Sequence, residues 1–112
     1  MIEATVIGYL SGIVELPPVF AERPEDPPAE YLLVERVGGG TNNHLRTAMI
    51  AIQSYADSLF RAAEINELVE AAMDALTDLD SVSRCKINSS YNYTDTDSRK
   101  YRYQAIFDIV YY

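Results

Sequence analysis

The sequence predicts an α+β fold: a mostly antiparallel, mixed sheet of four to five strands with two helices packed on one face, in the order α-β-β-β-α-β-β. Three observations predict it. Apolar residues recur at helical spacing in two separate stretches. "EYLLVERV" and "LRTAMIAIQSY" alternate with period two on either side of Gly38–Gly40. Alternation resumes on both sides of the polar turn "TDTDSRK", a hairpin signal.

The first helix rests on Ile2, Val6, Tyr9 and Leu10, with Gly12 expected to end it in the left-handed conformation. In "IVELPPVFAERP", Pro17 and Pro18 cannot donate ladder hydrogen bonds, so a short edge strand or extended arm is expected. "RPEDPPAE" continues as a stiff, acidic, exposed segment. In the next strand, Tyr31, Leu33, Glu35 and Val37 share one face, and Leu32, Val34 and Arg36 the other. The following strand places Ala48, Ile50 and Ile52 opposite Met49 and Ala51.

A long amphipathic helix carries Leu59, Ala62, Ile65, Val69, Ala72, Met73, Leu76 and Leu79 on its stripe. Ser54 with Asp57 suggests a capping box, and Glu64, Glu67, Glu70 and Asp74 a solvated acidic face. In the closing hairpin, Cys85, Ile87, Tyr91 and Tyr93 are expected on one face. After the turn, Tyr101, Tyr103, Ala105, Phe107, Ile109 and Tyr111 share a face opposite Arg102, Gln104 and Asp108.

Length and composition fit one domain over residues 1–112 with no need of a disulfide or metal. A formal net charge of −8 argues against a groove that grips nucleic acid. Among the basic residues only Arg99, Lys100 and Arg102 cluster, beside Asp95 and Asp97. Cys85 is the single cysteine, which leaves neither a zinc set nor a redox pair and fits a small buried hydrophobe. The N-terminus lacks signal-peptide character, and no apolar run reaches bilayer length, so a cytoplasmic compartment is the default expectation.

The three consecutive glycines are the first candidates for chemistry. A phosphate loop feeds glycine amides into a helix N-terminus, usually with a lysine. Gly38–Gly40 instead lead into the alternating, β-branched "TNNHLRTAMIAIQ", so positive-φ positions in a loop between strands are expected. His44 is the only histidine, and no nucleophile-elbow pattern joins it to Ser54 and Asp57. Asp95 and Asp97 lack the rest of a calcium loop. No catalytic, cofactor or metal residues are expected. Apolar and aromatic strand surface exceeds what two modest helices cover, and Leu32, Val34, Ile106, Val110 and Tyr112 are expected on the less covered face.

Several landmarks carry a resemblance. Arg36, Gly38 and Gly39 match an Arg-x-Gly-Gly loop closing a strand. Ile50, Ile52, Tyr55 and Ala56 match a strand-to-helix junction; Ala62, Ala63, Leu68 and Val69 match an Ala-rich helix; "RYQAIFDIVY" matches a closing strand. Together they resemble the tail terminator, or tail completion, proteins of long-tailed bacteriophages and prophages.

The resemblance implies a non-enzymatic structural virion protein with no cofactor. It would form a homo-oligomeric ring, commonly of six copies, on the last ring of tail tube protein. There it would stop tube growth and present a surface to the head-completion or connector protein. The site would be the head-proximal end of the tail, after assembly in the bacterial host cytoplasm. DNA would only pass through the lumen, without specific binding, and no membrane is involved; the acidic balance suits such a conduit. The candidate interface residues are Arg36, Gly38, Gly39, Gly40, Asn42, Asn43, His44, Arg46, Arg102 and Tyr112. Of these, Arg36, Arg46 and Arg102 are the candidates for ion pairs, and the loop Gly38–Leu45 and the arm Glu22–Glu30 are expected to be mobile and to reach tube or connector. Two alternatives remain: another phage neck, head-completion or tail-assembly protein, and a small-molecule-binding or enzymatic α+β domain.

Overall fold

The structure, a computed structural model, describes residues 1–42, 44–98 and 100–112, with Asn42 described by its backbone alone. Its elements are α1 (Ile2–Ser11), β1 (Val19–Phe20), β2 (Tyr31–Asn42), β3 (Leu45–Ala56), α2 (Leu59–Asp74), a 3-10 turn at Leu76–Asp78, β4 (Val82–Asn92) and β5 (Tyr101–Tyr111). The five strands form one sheet in the spatial order β1-β2-β3-β5-β4. Only the two-residue β1 pairs parallel; every other pairing is antiparallel. The α+β class and the chain order of elements are as the periodicities predict.

Both helices lie on one sheet face, because each offers a stripe that must leave water. Ile2, Val6 and Leu10 of α1 join Ala62, Ile65, Val69 and Met73 of α2 in a single buried cluster. Beneath them lie Leu32 and Val34 of β2, Ile50 and Ile52 of β3, and Phe107 and Ile109 of β5. Tyr9 Oη donates to the Ala72 carbonyl over 2.6 Å and ties one helix to the other. Burial pushes its hydroxyl pKa up, with Asp78 and Cys85 adding to the rise.

Several local expectations are corrected. Gly12 adopts a right-handed conformation (φ −82°, ψ −4°). Ser54 does not cap α2: β3 runs on to Ala56, Ser54 is buried in it with no hydrogen-bond partner for its hydroxyl among the described residues, and Ser58 Oγ accepts from the Arg61 amide instead. Leu59 stays partly exposed, so the buried stripe begins at Ala62. Leu32 and Val34 are not on the less covered face; they are helix-side core.

Tyr91 also changes side. The β4–β5 register slips between Ile87 and Ser89, so Cys85 and Ile87 face the helices beside Ile109 and Phe107 while Tyr91 pairs with Gln104 on the other face. One extra residue on a strand inverts every side chain beyond it.

Candidate functional site

The uncovered sheet face divides into two halves. At one end the side chains close over themselves. Tyr31 and Tyr55 stack at 4.4 Å with rings 5° apart, and Phe20 meets Tyr31 edge-on. Tyr55 Oη donates to Gln53 Oε1 over 3.0 Å, Gln53 Nε2 donates to Gln104 Oε1 over 2.8 Å, and Gln104 Nε2 donates to Tyr91 Oη. Gln53 and Gln104 are direct cross-strand partners, so the ladder aligns their amides. Burial raises the Tyr31 hydroxyl pKa, and the neighbouring Tyr55 adds to it.

Arg102 completes this end. Its guanidinium donates to the Tyr93 carbonyl over 2.6 Å and to Tyr55 Oη over 2.8 Å, and it sits 4.4 Å from the Tyr93 ring centroid. Its role is thus internal: it clamps two tyrosines by hydrogen bonds and cation–π contact.

At the other end the described side chains are less covered. Met49, Ile106 and Val110 are half-buried there, with Glu35 and Asp108 exposed among them, and Leu33, opposite Gln53, is half-buried at the boundary of the two halves. Arg84 and Lys86 of the edge strand β4 project on the same side, opposite Val110 and Asp108. Asp108 accepts from Asn88 Nδ2 over 3.0 Å.

The candidate interface residues fall mostly around the β2–β3 hairpin. Gly38–Gly40 do not form a loop. They are paired strand, opposite Met49, Ala48 and Thr47, and the ladder continues to Asn42 opposite Leu45. Irregularity is confined to a register shift between Arg36 and Gly38. Gly39 alone of the glycines has positive φ, +142°, and a Cβ there would collide with the Thr47 carbonyl and the Arg36 guanidinium. Of the expected mobile loop Gly38–Leu45, residues Gly38–Asn42 are therefore paired strand, Leu45 begins the next strand, and His44 sits at φ 68°.

Arg36 folds back on this arm, donating through Nε to the Gly38 carbonyl (3.2 Å) and through Nη2 to the Thr47 carbonyl (3.3 Å). It braces the bulge from the surface. Arg46 is exposed near the tip, as is Tyr112, whose amide donates to the Ser81 carbonyl over 3.0 Å. Asn43 and Arg99 lie outside the described residues, as does the Asn42 side chain. Among the described residues, the ion pairs within the chain belong to Arg61, with Glu30 at 2.8 Å and Glu64 at 3.8 Å; Arg36, Arg46 and Arg102 make none. The Glu30 contact anchors the end of the Glu22–Glu30 arm to α2, and its hydrogen bond raises the Arg61 pKa.

Among the described residues, no cluster of three or more His, Cys, Asp or Glu side chains is placed to hold a metal. Cys85 is partly buried, and desolvation, followed by Asp74 and Asp108, pushes its thiol up to about 11, leaving it protonated at neutral pH. No helix among the described residues is long and apolar enough to cross a membrane. Pattern reading missed Gln53, Gln104 and Tyr91, because their meeting depends on register and on the β4 bulge.

What fold and site define together is a class: a two-layer α+β protein with one sealed and one open sheet face. Comparison with known protein families finds no family model that matches the chain, and comparison with the curated proteins finds no match either.

Proposed function

We propose that this chain is a structural, non-enzymatic protein that works by self-assembly, as a tail-terminator-like ring subunit of a long-tailed phage or prophage. The ring would cap the tail tube, end its polymerisation, and offer its far surface to a head-completion or connector protein. The observation that carries this reading is the half of the sheet away from the helices and beyond the Gln53–Gln104 row, where Met49, Ile106 and Val110 are only half-buried. A domain that seals its other face so thoroughly has no folding reason to keep this strip. Two further features support it: the paired β2–β3 arm offers a rigid element for reaching a neighbour, and the net charge of −8 per subunit makes a ring surface to which DNA phosphates would not adhere. The virion tail is the compartment this reading implies.

Electron microscopy of tails assembled with and without the protein tests it. Overlong tubes in its absence, and normal tubes with a terminal ring when it is restored, are expected. Tubes of normal length without the protein overturn the terminator role. Binding to connector complexes rather than tubes would assign it to the neck.

A further inference from the structure

The proline-rich arm between β1 and β2 is tied down at both ends. The Leu32 amide donates to the Pro18 carbonyl over 2.8 Å, and Glu30 holds Arg61 over 2.8 Å. Pro27 and Pro28 stiffen the stretch between. The arm walls the sealed end of the sheet, where Tyr31 and Tyr55 are stacked cross-strand partners. Tyr101 pairs with Ala56, so the next step out brings Lys100 to the end of the ladder near Asp57. Arm, strand ends and turn enclose a cavity of about 270 Å³, lined by Arg23, Pro27, Pro28, Tyr31, Asp57 and Lys100 with Tyr55 behind.

Three donors converge on this cavity unspent. Neither Arg23 nor Lys100 forms an ion pair among the described residues. Tyr31 is only 3% exposed, yet it donates its hydroxyl proton to no acceptor among the described residues, whereas the Tyr55 hydroxyl donates to Gln53 and accepts from Arg102. Burial raises the Tyr31 pKa and Arg23 opposes the rise, so guanidinium and phenol act on one spot. A guanidinium has no acceptor atom and cannot take the phenol proton. An ammonium, a guanidinium and a phenol O–H together call for an oxyanion. Asp57, exposed on the same rim, repels a doubly charged phosphate more than a singly charged acid. Proline and tyrosine walls suit an apolar body, and the volume lies below that of sites for drug-sized ligands.

From this convergence we infer that the cavity binds a carboxylate carried on a small apolar body. The carboxylate oxygens accept from Arg23, Lys100 and Tyr31 Oη, and the body lies against Pro27 and Pro28. The planar fork of an arginine matches two carboxylate oxygens. One chemistry has two sources here: a free small acid, or a glutamate side chain in a partner's peptide. The site goes beyond the self-assembly reading and does not depend on it, for it sits at the sealed end of the sheet and not at Ile106 and Val110.

The test is titration of the full chain with benzoate, followed by amide chemical shifts and by calorimetry. Benzamide keeps the ring without the charge, and inorganic phosphate keeps the charge without the ring. Benzoate should bind saturably, with shifts centred on residues 29–31, 55–57 and 100, and each control should bind at least about tenfold more weakly. Arg23→Gln and Lys100→Gln should each weaken benzoate about tenfold, and Tyr31→Phe, which keeps the ring stack, should weaken it several-fold. Asp57→Asn should tighten it. Thermal melting checks folding; if Tyr31→Phe unfolds, the surface variants Arg23→Gln and Lys100→Gln carry the test. An acetyl-Phe-Glu-amide peptide that binds more tightly than benzoate assigns the site to a partner's acidic segment, and the reverse order assigns it to a free acid. If neither saturates, if benzamide or phosphate binds as well as benzoate, or if the Arg23→Gln, Lys100→Gln double variant binds like wild type, the carboxylate site is overturned. Ring formation is read separately by microscopy of tails, so either reading can fail alone.

Discussion

The same strands β2, β3 and β5 build two sheet faces that obey different rules. On the helix side, Leu32, Ile50, Ile52 and Ile109 are almost completely withdrawn from water within one apolar cluster. On the other side, a tyrosine and glutamine network seals one end and a thin apolar strip is left half-buried at the other. Hydrophobic burial is non-directional, so the helix side fixes that the chain folds and which way the strands face. Hydrogen bonds need partners at set distances, so the far side fixes register and rigidity and leaves surface for a neighbour. The contrast separates residues that hold the subunit together from residues that a neighbour reads.

The largest expected effect comes from two consecutive residues that face opposite ways. Phe107→Ala should cost about 3–5 kcal/mol in urea unfolding, as a buried ring is replaced by a void. Ile106→Ala, one position earlier but facing out, should cost about 1 kcal/mol or less while weakening self-association. Equal costs would erase the distinction between the faces.

Next is the hairpin arm. Gly39→Ala should lose about 1–3 kcal/mol of thermal stability, since φ is +142° there and the added methyl meets backbone. Gly40→Ala, with open space around its Cβ, should change far less. Of similar size is Gln104→Ala, which leaves the Gln53 amide and the Tyr91 hydroxyl without partners. A loss of about 1–3 kcal/mol by denaturant titration is expected, with Tyr91 mobilised in side-chain relaxation measurements. Ser58→Ala should cost about 1 kcal/mol by removing the α2 cap, whereas Ser54→Ala, whose hydroxyl has no partner among the described residues, should cost less or stabilise.

The mildest effect is on pH dependence. The Cys85 thiol rises from the usual 9.0 to about 11 through burial on the helix side. The folded state thus holds its proton where the unfolded chain releases it. The associated stability is intact below about pH 9 and is lost as pH climbs from there to about 11. Cys85→Ala should flatten stability over that window, and disulfide reagents should label the native thiol at pH 8 much more slowly than the denatured one.

Much of the fold was legible from spacing. The helical stripe of α2 and the alternation of β3 and β5 follow from one face of each element leaving water, a demand written in every second or every third to fourth residue. What escaped was decided by single-residue events. The register shift after Arg36 turned an apparent glycine loop into paired strand, and the shift after Ile87 moved Tyr91 to the other face. No composition signal marks Asn88 as the extra residue. Ser54 was expected as the cap because Asp57 follows three residues later, but β3 runs on to Ala56 and the helix begins late enough for Ser58 to cap it. The uncovered face was foreseen as surplus strand surface, but its members were misassigned at Leu32 and Val34, because alternation gives two faces without saying which one the helices take.

The most direct measurement is the mass of the particle by light scattering across rising concentration, alone and with isolated tail tubes, for wild type and for Ile106→Glu. The wild-type chain should grow into a closed multiple or accumulate on tube ends, while the variant, melting like wild type apart from its outward charge, stays a single subunit. A wild-type chain that remains single under every one of these conditions, or a variant that assembles just as well, would contradict an open face built for a neighbour.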